Sequence, residues 1–390
     1  MVENFHGCLQ EARLRTIAVL QKNSAQTALT KNMKILVIGK FYTEGFALHI
    51  AETLLVMGHT VRRFEPGFHA WRIGGKLGHR IDQVRGAIYS SSDGVPVIRA
   101  RRLRTLWEET ETGPLDAVIV CHDFLWPDEV AELKRRTGSQ VAMWFPDALV
   151  NFGRGYFMNA PYDGLFFKDP YIKHVLGDVL QSPVHFLPEC FNPVQHWLPD
   201  ERIGIDPKYR CDIATAGNQH SWRVAFYKHL VGYDVKLWGN PEPVWMSAGP
   251  VAKMYQGHGV YNHEKARAFR GASIVINNLH YGETWGLNVR AFEAAGAGAF
   301  QMVDWRPGVG QLFEDGKELV TFRSVADAKQ KIDFWLPRLN ERREIAEAGM
   351  RRAHAEHTYA LRLQLLLDTL AGRSKGFPMP NFAYQFGYAT

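Results

Sequence analysis

Cysteine is scarce in this 390-residue chain: Cys8, Cys121, Cys190 and Cys211 stand far apart, with no C-x-x-C pair. None of the Cys/His spacings of a tetrahedral zinc site occurs, so neither a disulfide framework nor structural zinc is expected, and a reducing cytoplasm is the expected compartment. Long apolar runs are missing too. Nothing approaches the roughly 18–20 residues that cross a bilayer, and the opening MVENFHGCLQEARLR is too charged for a secretory signal, so neither membrane spanning nor export is expected. No G-x-G-x-x-G opens the first helix, and G-x-x-x-x-G-K-S/T, H-E-x-x-H and G-x-S-x-G are absent. These gaps argue against dehydrogenases, P-loop enzymes, zincins and serine hydrolases. There is no D-x-D either. Paired carboxylates of that kind hold a divalent metal against a diphosphate; without them no metal site is expected, and helix N-termini with arginine are left to neutralise phosphate.

What the chain does have is apolar material for two cores: 46% of it is hydrophobic and 12% aromatic, with 22% charged. Its length exceeds what one core usually organises. The net charge of +6 and a pI near 9.0 favour anionic partners. The densest basic group is Arg99, Arg101, Arg102 and Arg104, which raises nucleic acid as a partner, although such a cluster is more often a solvated face.

Residues 1–32 read as a helical extension, amphipathic over about Val2 to Lys22. The fold proper begins at Met33, where KILVIGKF and then HIAETLLVMGH give a strand, a loop and a helix. TVRRFEP, DAVIVCHD and QVAMWFPD read as further strands and PDEVAELKRR as a helix. The alternation resumes with CDIATAGN, a helix near Arg223 to Leu230, DVKLWGN, a helix at His263 to Arg270, SIVINN, a helix at Leu287 to Ala295, and AFQMVD. Helices follow at about Val325 to Asn340, Glu341 to His354 and Tyr359 to Leu370. Strands alternating with helices imply parallel, doubly wound sheets. The reading is a first α/β domain over 33–200 and a second over 201–370, with a hinge in the proline-rich interval Leu187 to Lys208 and a tail, 371–390, packing back on the first domain.

The strongest local feature is His280 to Phe300, HYGETWGLNVRAFEAAGAGAF. A strand runs into a loop with Gly282, Glu283 and Gly286, and a helix starts near Leu287 and Asn288, so free N–H groups of its first turn face whatever sits at the strand's carboxyl end. Arg290 and Glu293 share one face of that helix; a carboxylate there can accept both hydroxyls of a ribose whose diphosphate occupies the helix terminus. The alternative is an ordinary surface Arg–Glu pair. The turn AGNQHSWR adds Gly217 and Asn218, which permit close backbone approach, and Arg223, which can reach a diphosphate. In a doubly wound sheet both segments end at one carboxyl edge, where ligands bind. In the first half Glu44, His122, Asp123 and Asp147 lie at strand ends where an acceptor hydroxyl would be deprotonated, with turn capping as the alternative for Asp147 and a structural role for His122.

NVRAFEAAGAGAFQMVD, LFEDGKELVTFRS and IAEAGMRRAHAEHTYALRLQLLL together resemble the C-terminal domain of CgeB-like proteins, a branch of the group 1 glycosyltransferases; WFPD, YDGLFFKDP and LPECFNP resemble the matching N-terminal half. The resemblance covers roughly Met33 to Leu370. It implies an α/β fold of two Rossmann-like doubly wound domains facing a cleft, the GT-B architecture. It further implies an enzyme that moves a sugar from a nucleotide-diphosphate sugar, a UDP-sugar first among donors, without metal or cofactor, to an unidentified acceptor. Glu293 would be the ribose ligand and Arg223 a diphosphate ligand. Retaining group 1 enzymes commonly carry a second glutamate eight positions earlier; Trp285 stands there and Glu283 lies two residues before it, so neither that donor-sugar contact nor a retained configuration carries over. Two other readings stand beside it: an inactive nucleotide-sugar-binding or spore/envelope assembly protein, and a transferase whose acceptor is nucleic acid.

Overall fold

The structure, a computed structural model, describes residues 32–66, 95–152, 155–199, 206–243, 245–247 and 249–380. The expected extension before Asn32 and the end of the tail, 381–390, lie outside the described residues.

The expected β-branched runs are strands: β1 Lys34–Ile38, β2 Thr60–Phe64, β3 Ala117–Cys121 and β4 Gln140–Phe145. Helices α1 Phe46–Val56, α2 Pro96–Glu111 and α3 Pro127–Thr137 alternate with them. β5 Gly164–Phe167 and β6 Val184–Phe186 complete a six-stranded sheet of order β2-β1-β3-β4-β5-β6, in which β2, β1, β3 and β4 pair in parallel. All of β3 is buried, which is why it reads as an unbroken apolar run rather than an alternation.

The second sheet has the order β11-β10-β9-β7-β8 and is parallel throughout. Its strands are β7 Cys211–Ala216, β8 Val235–Trp238, β9 Ala272–Asn277, β10 Gln301–Asp304 and β11 Val320–Phe322. The chain enters at β7, crosses to β8, and returns to β9 on the other side. The crevice between the carboxyl ends of β7 and β9 is therefore the point where the strand order reverses. Helices α4 Ser221–Tyr227, α5 Asn262–Gly271, α6 Val289–Ala297, α7 Val325–Trp335, α8 Leu339–Glu356 and α9 Tyr359–Leu370 follow their strands. Ile213, Leu237, Ile274, Ile276, Met302 and Val320 form one core under this sheet with Phe226 and Tyr227.

Some boundaries differ from the sequence reading. The helix expected over Val325 to Asn340 stops at Trp335, because Pro337 supplies no N–H to continue the helix. The short strands β5, β6 and β11 and the arginine-rich helix α2 carry too little periodicity to declare themselves. The proline-rich interval does separate β6 from β7. The compact units, however, part earlier: one comprises the described residues of Leu29–Phe145 and Arg154–Leu165, the other Pro146–Gly153 and those of Phe166–Thr390. The segment after β5 is drawn to the later chain by side chains that the hydrophobic pattern does not show. Lys168 bonds Glu283, Asp169 accepts from Thr284, and Phe191 pairs its backbone with His357 and Tyr359. In the tail, Phe377 packs edge-on against Phe186 and under the guanidinium of Arg362.

Candidate functional site

The crevice of the second sheet is built from a glycine outward. β7 ends at Ala216, and Gly217 has φ +139°, a conformation that disfavours any residue with a Cβ. Such a Cβ would also collide with the Arg290 guanidinium and lie 2.9 Å from Nη1 of Arg223. Gly239, just after β8, packs directly on the Gly217 backbone, so both glycines are needed for close approach. Asn218 closes the turn: its carbonyl accepts from Arg223 Nη1 at 2.8 Å and its Oδ1 from Asn240 at 2.8 Å.

Arg290 lies in the first turn of α6 and is only 6% exposed. It donates Nε to the Ala216 carbonyl and Nη1 to Asn277 Oδ1 at 3.0 Å. Asn277 and Asn288 pair their amides at 2.9 and 3.3 Å. Asn288 is thereby held off its own helix, and no side chain caps the N–H groups of α6. Burial, then the neighbouring Arg223 charge, push the Arg290 pKa down to about 9, which leaves it charged at neutral pH. Among the described residues neither Arg290 nor Arg223 has a carboxylate within ion-pair distance. Two guanidiniums therefore converge on an uncapped helix N-terminus with no anion to balance them, which is the electrostatics of a phosphate site.

Glu293 sits one turn further along α6 and is buried. It does not pair with Arg290. Its Oε1 takes Lys265 of α5 at 3.0 Å and His196 Nε2 at 3.6 Å, which leaves Oε2 for other donors. The alternative of a surface Arg–Glu pair is not what forms: the helix turns both residues inward, Arg290 toward β7 and Glu293 toward α5.

The loop after β9 departs from the sequence expectation. Its N–H groups are not all free, since Gly282 donates to His280 Nδ1 at 3.1 Å and Glu283 to the His280 carbonyl at 2.9 Å. Glu283 is buried and bonded to Lys168 Nζ at 2.7 Å. Gly282 abuts Val150, Gly286 abuts the Lys168 carbonyl, and Leu287 belongs to the core; the helix itself begins two residues later than expected, at Val289. Burial opposes the Lys168 charge, but Glu283 and Glu189 outweigh it and raise its pKa. Glu189 is buried with Oε2 unpartnered; burial, together with Glu283, Asp147 and Glu293 and against Lys168, pushes its pKa up to about 8.

Of the four expected acceptor-side residues, Glu44, His122 and Asp123 belong to the smaller unit and Asp147 to the larger. Glu44 and His122 carry the positive φ values +67° and +101° in the smaller unit, strained for residues with a side chain. Asp123 is a structural cap, a correction to its expected role: its two oxygens accept from Tyr156 and Phe157 N–H at 2.8 and 2.9 Å. Asp147 is exposed and belongs to the larger unit, where its charge acts on Lys168 and Glu189. The basic cluster is also broken up. Arg99 is buried against Glu129 with its guanidinium over Trp126, and Arg104 pairs with Glu108. Sequence reasoning missed Lys168, Glu189, His196, Lys265 and Asn277. Their only signal was a polar residue immediately after, or packed beneath, an apolar strand end.

Residues 219–368 match the glycosyl transferase-like family. No curated protein sequence matches it. Solved structures share the fold. A glycosyltransferase from Rickettsia africae superposes with TM-score 0.58 at 14% identity, over 89% of this chain and 100% of that one. Sucrose-phosphate synthase from Thermosynechococcus elongatus gives 0.57 at 11%, over 88% and 100%. HepE from Anabaena, solved in complex with UDP, gives 0.57 at 11%, over 87% and 100%. The chain thus has the two-Rossmann GT-B architecture, and Arg223 and Arg290 lie inside the matched segment while Gly217 and Asn218 stand just before it. No described helix is long and apolar enough to cross a membrane.

Proposed function

We propose that the protein transfers a sugar from a nucleotide-diphosphate sugar, a UDP-sugar before others, to a hydroxyl acceptor, as a group 1, CgeB-like transferase. The carrying observation is the unbalanced pair Arg290 and Arg223 at Gly217, below the uncapped start of α6. The diphosphate takes that corner, the ribose hydroxyls donate to Glu293 Oε2, and Lys265 and His196 hold the carboxylate in place. As the glycosidic bond breaks, charge grows on the departing diphosphate, and fixed guanidiniums and helix N–H groups stabilise it without a metal. That HepE was solved with UDP, and in another structure with UDP-glucose, supports this class of donor.

Calorimetry with UDP and uridine tests the reading. Arg223→Ala weakens UDP and barely affects uridine, whereas Glu293→Ala weakens both, each lost charge-assisted bond costing about 1.5–3 kcal/mol. Unchanged UDP affinity in both variants would remove the site. A second reading is donor binding without transfer; absence of slow UDP release from any UDP-sugar would favour it. A nucleic-acid acceptor is the weaker alternative, since Arg99 and Arg104 are already paired.

A further inference from the structure

A second concavity, of about 520 Å³, opens where β9, β10 and β11 end, lined also by the starts of α4 and α7. It shares no residue with the arginine corner. Its walls combine three features. The first is aromatic: Trp222 donates Nε1 to the Leu279 carbonyl at 2.8 Å, yet the residue remains 43% exposed, and Tyr281, 61% exposed, stands 6.2 Å from it at 68°. Phe226 and Phe322, stacked at 5.4 Å, give the pocket an apolar floor.

The second is an orphan acceptor. Asn278 is 3% exposed, and its Oδ1 receives no hydrogen bond from any described residue. A buried amide oxygen left so is costly unless a ligand donates to it. The third is charge. Arg306 pairs with Asp304 and cancels it, whereas Arg323, lying 3.7 Å over the Trp305 ring, has no acidic partner among the described residues. One positive charge is left over beside an aromatic wall and a hydroxyl-seeking oxygen.

We propose that this pocket binds a sugar ring bearing a negative charge, a carboxylate or a phosphate. The apolar face of the ring lies on Trp222 and Tyr281, a hydroxyl donates to Asn278 Oδ1, and the anionic group meets Arg323. A neutral sugar leaves Arg323 unmatched, and an inorganic anion leaves the aromatic wall and Asn278 unused. The site is separate from the nucleotide corner, so the proposal stands whether or not the chain transfers sugar.

Calorimetric titration of the full chain with D-glucuronate, glucose 6-phosphate, glucose and inorganic phosphate tests it, with and without saturating UDP. Either anionic sugar binds, and which of them does identifies the charged group. Glucose and inorganic phosphate bind at least about tenfold more weakly, and UDP changes nothing. Arg323→Gln, an exposed substitution that leaves the core intact, lowers the anionic sugar to the affinity of glucose and leaves UDP binding unchanged. Trp222→Leu removes both sugars. No binding of either anionic sugar at tens of millimolar, displacement by UDP, equal binding of inorganic phosphate, or indifference to Arg323→Gln would each overturn the proposal.

Discussion

Two buried residues set opposite pH dependences. Glu189 is held near pKa 8, against an ordinary 4.5, chiefly by burial. Between those values the folded chain keeps a proton that the unfolded chain has lost, so stability falls as pH rises from about 4.5 to about 8, by up to roughly 1.4 kcal/mol per pH unit. His357 works the other way. Its Nε2 faces the Leu312 carbonyl at 2.8 Å and Nδ1 accepts from Arg362 at 2.8 Å, an arrangement that needs the neutral ring. Burial, then Arg362, lower its pKa to about 3 from 6.5, so its contribution is lost as pH falls through that window. Denaturant unfolding across pH checks both: Glu189→Gln flattens the loss between pH 6.5 and about 8, where His357 is silent, and leaves the acid limb in place. Arg290→Lys is the sharper test of the phosphate corner. Lysine cannot donate to Ala216, Asn277 and a diphosphate from one planar fork, so UDP affinity falls about tenfold or more while uridine binding changes little.

At the scale of elements, two glycines set how closely the pieces approach. Gly217→Ala places a Cβ at positive φ and into the Arg290 guanidinium, so it combines backbone strain with a displaced ligand group. The expected result is loss of UDP binding, with about 1–3 kcal/mol of destabilisation, read by calorimetry and unfolding. Gly296 lies inside α6, where a glycine normally weakens a helix. Here the ring of Phe191 packs against it and would collide with a Cβ. Gly296→Ala therefore destabilises by about 1–3 kcal/mol through overpacking, despite the better helix propensity of alanine. A neutral or stabilising effect in urea unfolding would show that this packing yields.

At the scale of the whole molecule, a ligand that binds only the folded chain raises its stability by mass action, about 2.7 kcal/mol at a hundredfold excess over Kd. UDP should therefore raise the melting temperature, and EDTA should leave that shift and UDP release unchanged if, as proposed, Arg223, Arg290 and the start of α6 meet the diphosphate charge. A shift that EDTA removes would bring a metal into the site. The alternation of KILVI, AVIVC, CDIATA and ASIVIN with helical segments was legible in the sequence, because parallel strands buried on both faces must be continuous apolar runs. So was the coincidence of Gly217, Arg223, Arg290 and Glu293 at one sheet edge, which follows from strand order alone. Only the tertiary structure decided what those side chains do. Helical spacing puts Arg290 and Glu293 on one face, and packing against β7 and α5 sends them to different partners. The same holds for Asp123, expected as a base, whose oxygens accept from the N–H groups of Tyr156 and Phe157, more than thirty residues away. Periodicity encodes burial, a property of each residue's own position; a polar group's partner is a distant contact that exists only once the chain has closed.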